Sequence, residues 1–237
     1  MKNGKKSLVL ILGIFLFAGC SKKEDDLISQ NCETNCTEIV GKIMTDNGTV
    51  PIQNLKITVT WDNIAYLGTG IIRTKASTRT DSRGNYRLKF YLRDDEFEKG
   101  GYRMFYEKLN EDIFLATQLN GINLFVMSRD TTLTINHNIP KKAYLYLSLL
   151  NLQDFQQGDY FTTEFSYANP SGFSQSIGGE VFGWNSESGS NNFLEIAGNH
   201  PVTLKIYRRK NNVTTYETEV INIRAGTTSG YTIDYSN

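Results

Sequence analysis

Residues 78–90 decide the fold class, because they combine a turn signal with an alternating strand. They read Thr78-Arg-Thr-Asp-Ser-Arg-Gly-Asn-Tyr-Arg-Leu-Lys-Phe90. A glycine at position 84 tolerates positive φ at little cost, which favours a turn from Asp81 to Gly84. Beyond it, the apolar residues at 86, 88 and 90 point one way and the basic residues between them point the other. The stretch therefore predicts a turn followed by a strand with one buried face.

The same two-residue period occurs upstream. Residues 55–61 alternate Leu, Ile, Val and Trp with Lys and Thr, which is typical of a strand that buries one face. Trp61 stands at an inward position of that alternation and is predicted to be a core residue. Before this strand, an apolar start at 39–43 and the turn Asp46-Asn47-Gly48 predict a further strand and a tight turn.

Composition favours an all-β protein. The 237 residues include 13 Tyr and 13 Phe but only 4 Pro, and aromatic side chains suit half-buried pleated surfaces. No long stretch shows the three-and-four spacing of an amphipathic helix. The 25 basic and 25 acidic residues balance, whereas a nucleic-acid binder would show a basic face. We therefore expect no nucleic-acid partner.

The motifs of the first half resemble those of the carboxypeptidase regulatory-like, transthyretin-like domain. The match runs through Ile39-x-Gly-x-Ile43, Asp46-x-Gly48, Pro51-Ile52 and Thr80-Asp-x-x-Gly-x-Tyr-x-Leu88. It covers roughly residues 37–138, under half of the chain. The resemblance implies a seven-stranded β-sandwich there. It does not imply carboxypeptidase activity, because in that family the domain is an appendage to the catalytic one.

Residues 139–237 are predicted to form a second β-sandwich after a polar hinge at 140–142. Tyr and Leu alternate from 144 to 149, which predicts a strand with both faces partly covered. Three stretches resemble the first half in the same order: 192–196 resembles 85–88, 203–208 resembles 102–107, and 231–235 resembles 133–135. Any two β-sandwiches share alternation, but the kept order favours a diverged repeat. The expected architecture is two tandem Ig-like or transthyretin-like β-sandwiches.

The N-terminus has the pattern of an export signal. Three lysines among residues 2–6 precede an apolar run at 8–17, and small residues stand directly before Cys20. This order is typical of a signal peptide, and the run is too short for a good membrane span. It resembles a bacterial lipobox, which implies that residues 1–19 are removed and that Cys20 is diacylated. The alternative is an ordinary secretory signal with a coincidental cysteine.

Residues 20–36 are expected to form a flexible tether, because their charged start cannot bury apolar area. The run Ser21-Lys-Lys-Glu-Asp-Asp26 resembles the acidic surface-export signal of Bacteroidota lipoproteins. Further along, Cys32 and Cys36 are expected to close a small disulfide loop in an oxidising envelope. Free thiols are the alternative. A metal site is not expected there, because no further Cys or His ligand stands nearby.

No sequence motif supports catalysis. The two histidines, His137 and His200, are far apart, and no Gly-x-Ser-x-Gly or phosphate loop occurs. The acidic run at 94–98 lacks the ligand spacing of a calcium loop and is interpreted as a solvated loop. We therefore expect no enzyme, no metal and no cofactor. A glycosidase-like carboxylate pair is the one catalytic arrangement that the sequence leaves open.

Two functions remain. The first is a non-catalytic, lipid-anchored structural or interaction module at the outer membrane, facing the cell surface or, alternatively, the periplasm. Its partners would be the membrane, through the N-terminal lipid, and an envelope protein that binds an edge strand. The second is a surface accessory protein that binds a glycan or small ligand through exposed aromatics. Tyr160, Phe173 and Trp184 are the candidates, although the core is the favoured place for Trp184.

Overall fold

The computed structural model describes residues 21–64, 68–115, 121–125, 127–174 and 177–236. The strands, in chain order, are β1 Lys22–Asp25, β2 Cys36–Thr45, β3 Val50–Pro51, β4 Lys56–Asp62, β5 Ile71–Arg79, β6 Asn85–Tyr91, β7 Gly101–Tyr106, β8 Gly121–Leu124, β9 Thr132–Thr134, β10 His137–Asn138, β11 Lys141–Leu150, β12 Tyr160–Ala168, β13 Ile177–Trp184, β14 Asn191–Gly198, β15 Pro201–Lys210, β16 Val213–Asn222 and β17 Thr228–Asp234. Within the described residues, the helix α1 is a single turn at Leu27–Gln30, and 3₁₀ turns span Asp94–Glu96 and Leu152–Asp154. The all-β prediction is confirmed.

Two sheets form the first half of the fold. Sheet A has the order β1-β5-β4-β7-β8, and sheet B surrounds β2, which pairs with β3, β6, β9 and β10. Both sheets contribute to one cluster of buried side chains, which includes Ile39, Ile57, Trp61, Leu88 and Met104. Trp61 is fully buried, so its predicted place in the core is confirmed. The alternating stretches therefore form the two layers of a sandwich, each with its apolar face inward.

Two further sheets form the second half. Sheet C has the order β14-β11-β17, and sheet D has the order β13-β12-β15-β16. A second cluster lies between them and includes Leu145, Leu147, Phe161, Leu204 and Ile206. Ile139, expected to begin this half, is 2% exposed and packs in the first cluster instead. Buried apolar side chains up to Ile139 belong to the first cluster, and those from Ala143 in β11 onward belong to the second.

The two halves repeat one strand order. The chain β5-β4-β7-β8 in sheet A corresponds to β13-β12-β15-β16 in sheet D, and β6-β2-β9 in sheet B corresponds to β14-β11-β17 in sheet C. The directions agree as well, since β9 is parallel to β2 and β17 is parallel to β11. All three resemblances between the halves in the sequence fall on equivalent strands: β6 with β14, β7 with β15, and β9 with β17.

The turn of the opening stretch has the local structure that its residues predict. The Asp81 carboxylate accepts hydrogen bonds from the backbone N–H groups of Arg83 and Asn85, both at 2.8 Å. Gly84 has φ +76°, and a Cβ there would lie 2.6 Å from the carbonyl oxygen of Ile43. Glycine is therefore needed both for the backbone conformation and for the close approach to β2.

Candidate functional site

The segment after Cys20 folds onto sheet A, so the expected flexible tether is wrong for residues 22–30. Strand β1 pairs in parallel with β5, and the Lys22 N–H donates to the carbonyl oxygen of Gly70 at 3.0 Å. The Ser29 hydroxyl, fully buried, donates to the Tyr91 carbonyl oxygen at 2.7 Å. Of the charges at the start of this segment, Asp26 is buried and has its partners inside the fold, whereas Lys22 and Lys23 stay exposed.

Three entirely buried side chains hold the N-terminal segment against the fold. The Lys75 ammonium lies 2.7 Å from the Asp26 carboxylate and 2.8 Å from both oxygens of Glu96. All three side chains are 0% exposed. A buried charge without a partner costs several kcal/mol, roughly 3–5 when one member of a pair is removed. The three residues therefore connect the N-terminal segment, β5 and the 3₁₀ turn after β6 as one unit, named here the buried charge cluster.

Further donors complete the buried charge cluster. Arg93 binds Asp26 through two hydrogen bonds, at 2.6 and 3.0 Å, and the Tyr102 hydroxyl donates to Glu96 at 2.7 Å. Burial opposes ionisation of Asp26, but the hydrogen bonds from Arg93 and Lys75 outweigh it and lower the pKa of that carboxyl. Burial and the bond to Glu96 raise the pKa of Tyr102. Asp26 is thus held as a carboxylate at neutral pH.

Glu96 corrects the interpretation of the acidic run at 94–98. The run was expected to form a solvated loop, yet Glu96 is buried and its side chain also accepts a hydrogen bond from the Arg93 N–H at 2.9 Å. Asp94 stays in solvent and pairs with Arg129. The run could not be interpreted correctly alone, because the side chains that donate to the Glu96 carboxylate are Lys75, Arg73 and Tyr102, on other strands.

The predicted site cysteines lie at the start of the chain. Cys20 lies outside the described residues. Cys32 and Cys36 are joined by a disulfide, with an S–S distance of 2.10 Å. This small loop lies between α1 and β2, so it follows the docked segment and precedes the central strand of sheet B.

Strand β16 is a ten-residue edge strand of sheet D. Its ten residues pair with β15 on one side, and in the described residues nothing pairs with it on the other. The exposed fractions of Val213, Tyr216 and Val220 are 64%, 75% and 61%. Edge strands carry free backbone donors and acceptors, so a long exposed one is a template for an incoming strand. No sequence signal singled out this strand.

The inward side of β16 is acidic and lies beyond the core. Glu217 and Glu219 stand opposite the buried Ile206 and Leu204 in the register. Glu217 accepts a hydrogen bond from Arg208 at 2.7 Å, and Glu219 accepts one from the Tyr231 hydroxyl. Inward-pointing charges are one way in which proteins limit unselective pairing at an edge. The strand is therefore open but not simply hydrophobic.

An aromatic row lies on the outer face of sheet C. The rings of Tyr144 and Phe193 are stacked, with centroids 5.3 Å apart and planes at 19°. Tyr146 stands opposite Phe193 in the register, and the two are 46% and 60% exposed. On the other side of Tyr146 stands Gly230, which has no side chain to cover it. The outer face of β11 is partly covered, as expected, at Tyr144 and Ser148, and is exposed at Tyr146 and Leu150.

The aromatic residues proposed from the sequence do not form this row. Trp184 is buried, and its indole N–H donates to the Thr163 hydroxyl at 3.0 Å. The favoured core placement of Trp184 is therefore confirmed. Tyr160 is 54% exposed and Phe173 is half-buried. The pattern that could have found the row is the alternation of 144–149, because its Tyr positions all face the side opposite the buried Leu positions.

Burial disfavours the charged form of both histidines. Burial lowers the pKa of His137 to about 4, and burial likewise lowers the pKa of His200. His200 is 2% exposed, with its Nδ1 3.1 Å from the Pro201 carbonyl oxygen and its ring edge-on to Tyr167. Among the described residues, no group of three His, Cys, Asp or Glu side chains is placed to hold a metal ion. In the same part of the chain, no helix has the length and apolar character needed to cross a membrane.

Comparison with known proteins finds a general likeness and no family. No protein-family model matches the chain, and no curated protein matches it. Among solved structures, the shaft pilin SpaA of Lactobacillus rhamnosus GG is 7% identical, with a TM-score of 0.32, over 85% of this chain and 98% of that one. A candidate cell adhesion protein from Bacteroides ovatus is 12% identical, with a TM-score of 0.27, over 86% and 93%. At these TM-scores the likeness carries no argument about function.

Proposed function

We propose that this chain is a non-catalytic, lipid-anchored protein of the outer membrane that binds a partner protein at the cell surface. The observation that carries the interaction role is β16, ten residues long and exposed along almost its whole length. The anchoring role is supported by the sequence, in which the export signal ends at Cys20. The resemblance of the first half to a carboxypeptidase regulatory-like domain fits a supporting module rather than a catalytic one.

The partner would add a strand to the free edge of β16. In strand addition, backbone hydrogen bonds supply affinity, and side chains at alternate positions supply specificity. The outward positions of β16 offer Tyr216, Thr218 and Val220, which would contact every second residue of the incoming strand. Glu217 and Glu219 on the other face favour a partner strand with basic residues at the intervening positions.

The anchor is tested by Cys20→Ala, with Ser21→Ala as the matched control. Cells expressing each variant are fractionated, and intact cells are treated with protease. We expect the Cys20→Ala protein to be lost from the membrane fraction, whereas the Ser21→Ala control stays there. We also expect protease added to intact cells to cleave the anchored protein. Membrane retention of Cys20→Ala contradicts lipidation, whereas protection from protease in intact cells contradicts the surface location.

The partner is tested by a photo-crosslinking amino acid at Thr218 of β16, with Lys89 of β6 as the control position. Both positions are exposed. The proposal expects one discrete crosslinked species from position 218 on intact cells and none from position 89. Equal crosslinking from both positions, or none from 218, contradicts binding at this edge.

A second candidate function, glycan binding, is favoured by the aromatic row. Stacked, exposed rings can hold the apolar face of a sugar, and the neighbouring Lys142–Glu195 ion pair, at 2.7 Å, supplies polar groups beside them. Retardation of the protein in polysaccharide-containing gels is the direct assay. Glycan binding predicts that Tyr146→Ala and Phe193→Ala each abolish retardation while Tyr216→Ala does not. Retardation that survives both changes eliminates this candidate.

A further inference from the structure

The lipid anchor would stand directly beside the folded part of the chain. Only Ser21 separates Cys20 from Lys22, the first residue of β1, and two residues of extended chain span at most about 7 Å. The Lys22 N–H is fixed to the Gly70 carbonyl oxygen at 3.0 Å. A lipid on Cys20 would therefore bring one particular end of sheet A to the membrane, without a long spacer.

That end of sheet A carries exposed apolar side chains. Gly70 is packed against the backbone of Ile64, which is 42% exposed. Across the sheet, Asp62 pairs with Gly101 and Tyr102 pairs with Leu124, so the loop after β8 emerges at the same end. Phe125 begins that loop and is 80% exposed, the highest value among the large exposed hydrophobic side chains of the described residues. Exposed residues of this kind at an anchored end are suited to the boundary between headgroups and acyl chains.

A cleft with basic residues continues from this end along the outer face of sheet A. It has a volume of about 570 Å³ and is lined by Lys23, Ile64, Ile72, Arg103 and Phe105, together with threonines and Asp62. Arg103 is 51% exposed and lies 3.6 Å from Asp62, a loose pair. Among the described residues, Lys23 forms no ion pair. Two accessible cations beside apolar side chains match an anionic phospholipid headgroup and the chain below it.

We infer that this end of sheet A and its basic cleft lie against the membrane and bind anionic phospholipid. Phe125 and Ile64 enter the interfacial region, while Lys23 and Arg103 meet the lipid phosphates. The contact fixes the orientation of the first half, so that the second half, with β16, points away from the bilayer. This inference rests on the proposed lipidation of Cys20.

The test uses the full-length lipidated protein in vesicles of phosphatidylcholine with a quarter phosphatidylglycerol. An environment-sensitive fluorophore is attached at Phe125→Cys or, as a control of similar exposure, at Val213→Cys on β16. Lipids with a nitroxide near the headgroup then quench probes that lie at the surface. We expect at least about twofold stronger quenching at position 125 than at position 213, since an interfacial residue sits at headgroup level.

The charge contacts are tested by Lys23→Glu combined with Arg103→Glu, with Lys205→Glu as the control. Basic residues near an anionic surface are attracted to it, and acidic replacements are repelled. The double variant should lower quenching at position 125 in vesicles with phosphatidylglycerol, and Lys205→Glu should leave it unchanged. An unchanged signal in the double variant overturns the basic cleft as the lipid site.

Flotation of the vesicles separates the two ways in which the idea can fail. If the protein does not float with them, the lipid anchor is wrong and this inference falls with it. If the protein floats but the probes at 125 and 213 are quenched equally, the anchor stands and the orientation is overturned. Selective quenching at 125 supports both.

Discussion

The two halves share one strand order but treat their sheet edges differently. In sheet A, one edge strand, β5, is covered by β1, and the other, β8, is only four residues long. In sheet D, the equivalent strands β13 and β16 are eight and ten residues long, and no described strand covers either. Covering or shortening an edge prevents unwanted pairing. The comparison indicates that sheet A of the first half has protected edges and that sheet D of the second half is open for recognition.

The largest expected effect on stability comes from a substitution in the buried charge cluster, which holds the closed edge of sheet A. Lys75→Met removes the cation between Asp26 and Glu96 and leaves two buried carboxylates, which keep only their bonds to Arg93, Arg73 and Tyr102. We expect the unfolding free energy of the first half to fall by about 3 kcal/mol, the lower end of the range for a broken buried pair, because these bonds remain. Urea unfolding in a Trp184→Phe background measures it, because Trp61, fully buried in the first cluster, is then the only tryptophan.

The matched control for that change lies in the second half. Lys205 pairs with Glu164 at 3.5 Å, and both side chains are partly exposed. Lys205→Met should cost about 0–1 kcal/mol, the range for exposed pairs. If Lys75→Met is as mild as Lys205→Met, the buried charge cluster does not hold the N-terminal segment, and the closed edge of the first half loses its explanation.

Acid should weaken the contacts of Asp26 in the buried charge cluster. Because the pKa of Asp26 is lowered in the fold, the unfolded chain takes up its proton first as the pH falls, near the ordinary value of about 3.9. The stability that Asp26 contributes is therefore complete at neutral pH, begins to be lost at about pH 4, and is lost progressively as the pH falls through the lowered pKa of the folded state. Wild type should exceed Asp26→Asn in unfolding free energy at pH 7, and the difference should close below about pH 4. A difference that is independent of pH would show that the Asp26 charge contributes nothing.

The smallest effect on stability is expected at the open edge. Val220→Lys changes an exposed residue, so the unfolding free energy should move by no more than about 0.5 kcal/mol. A lysine on an edge strand hinders strand addition, so crosslinking from position 218 on intact cells should be lost. Val181→Lys, 66% exposed on the opposite edge strand β13, is the matched control and should leave crosslinking from position 218 unchanged. If Val220→Lys does not lower crosslinking, strand addition at β16 is not how the partner binds.

The alternation of apolar and polar residues predicted which side of each strand faces the core, but not which of the remaining faces and edges are exposed. The stretches at 55–61 and 86–90 place their apolar residues in the core because a period of two fixes the face of each side chain. Alternation says nothing about which positions a second layer will leave open, so it did not predict the exposure of Tyr146 on the outer face of β11. The same limit applies to β16. Its residues are compatible with a strand covered on one face, but the strand lies beyond the core and is exposed.

The docked N-terminus could not be predicted because its partners are far away in the sequence. Lys75 and Glu96 stand 49 and 70 positions after Asp26, and each is charged, so local composition favoured a solvated segment. Only the fold brings the three side chains within 2.8 Å. The carboxylate of Glu96 was misinterpreted for the same reason. Charged residues reach the interior where their partners are themselves buried, and a single sequence does not pair them.

Hydrogen–deuterium exchange of the full-length protein in detergent micelles tests the contrast between the halves most directly. Residues 71–74 of β5 lie between β4 and β1 and should be protected, whereas about half of the amides of 213–222 in β16 face no partner and should exchange freely. Asp26→Asn should speed amide exchange in residues 71–74 and leave the exchange of residues 213–222 unchanged. Uniform protection of 213–222, or rapid exchange of 71–74 in the wild type, would contradict the account.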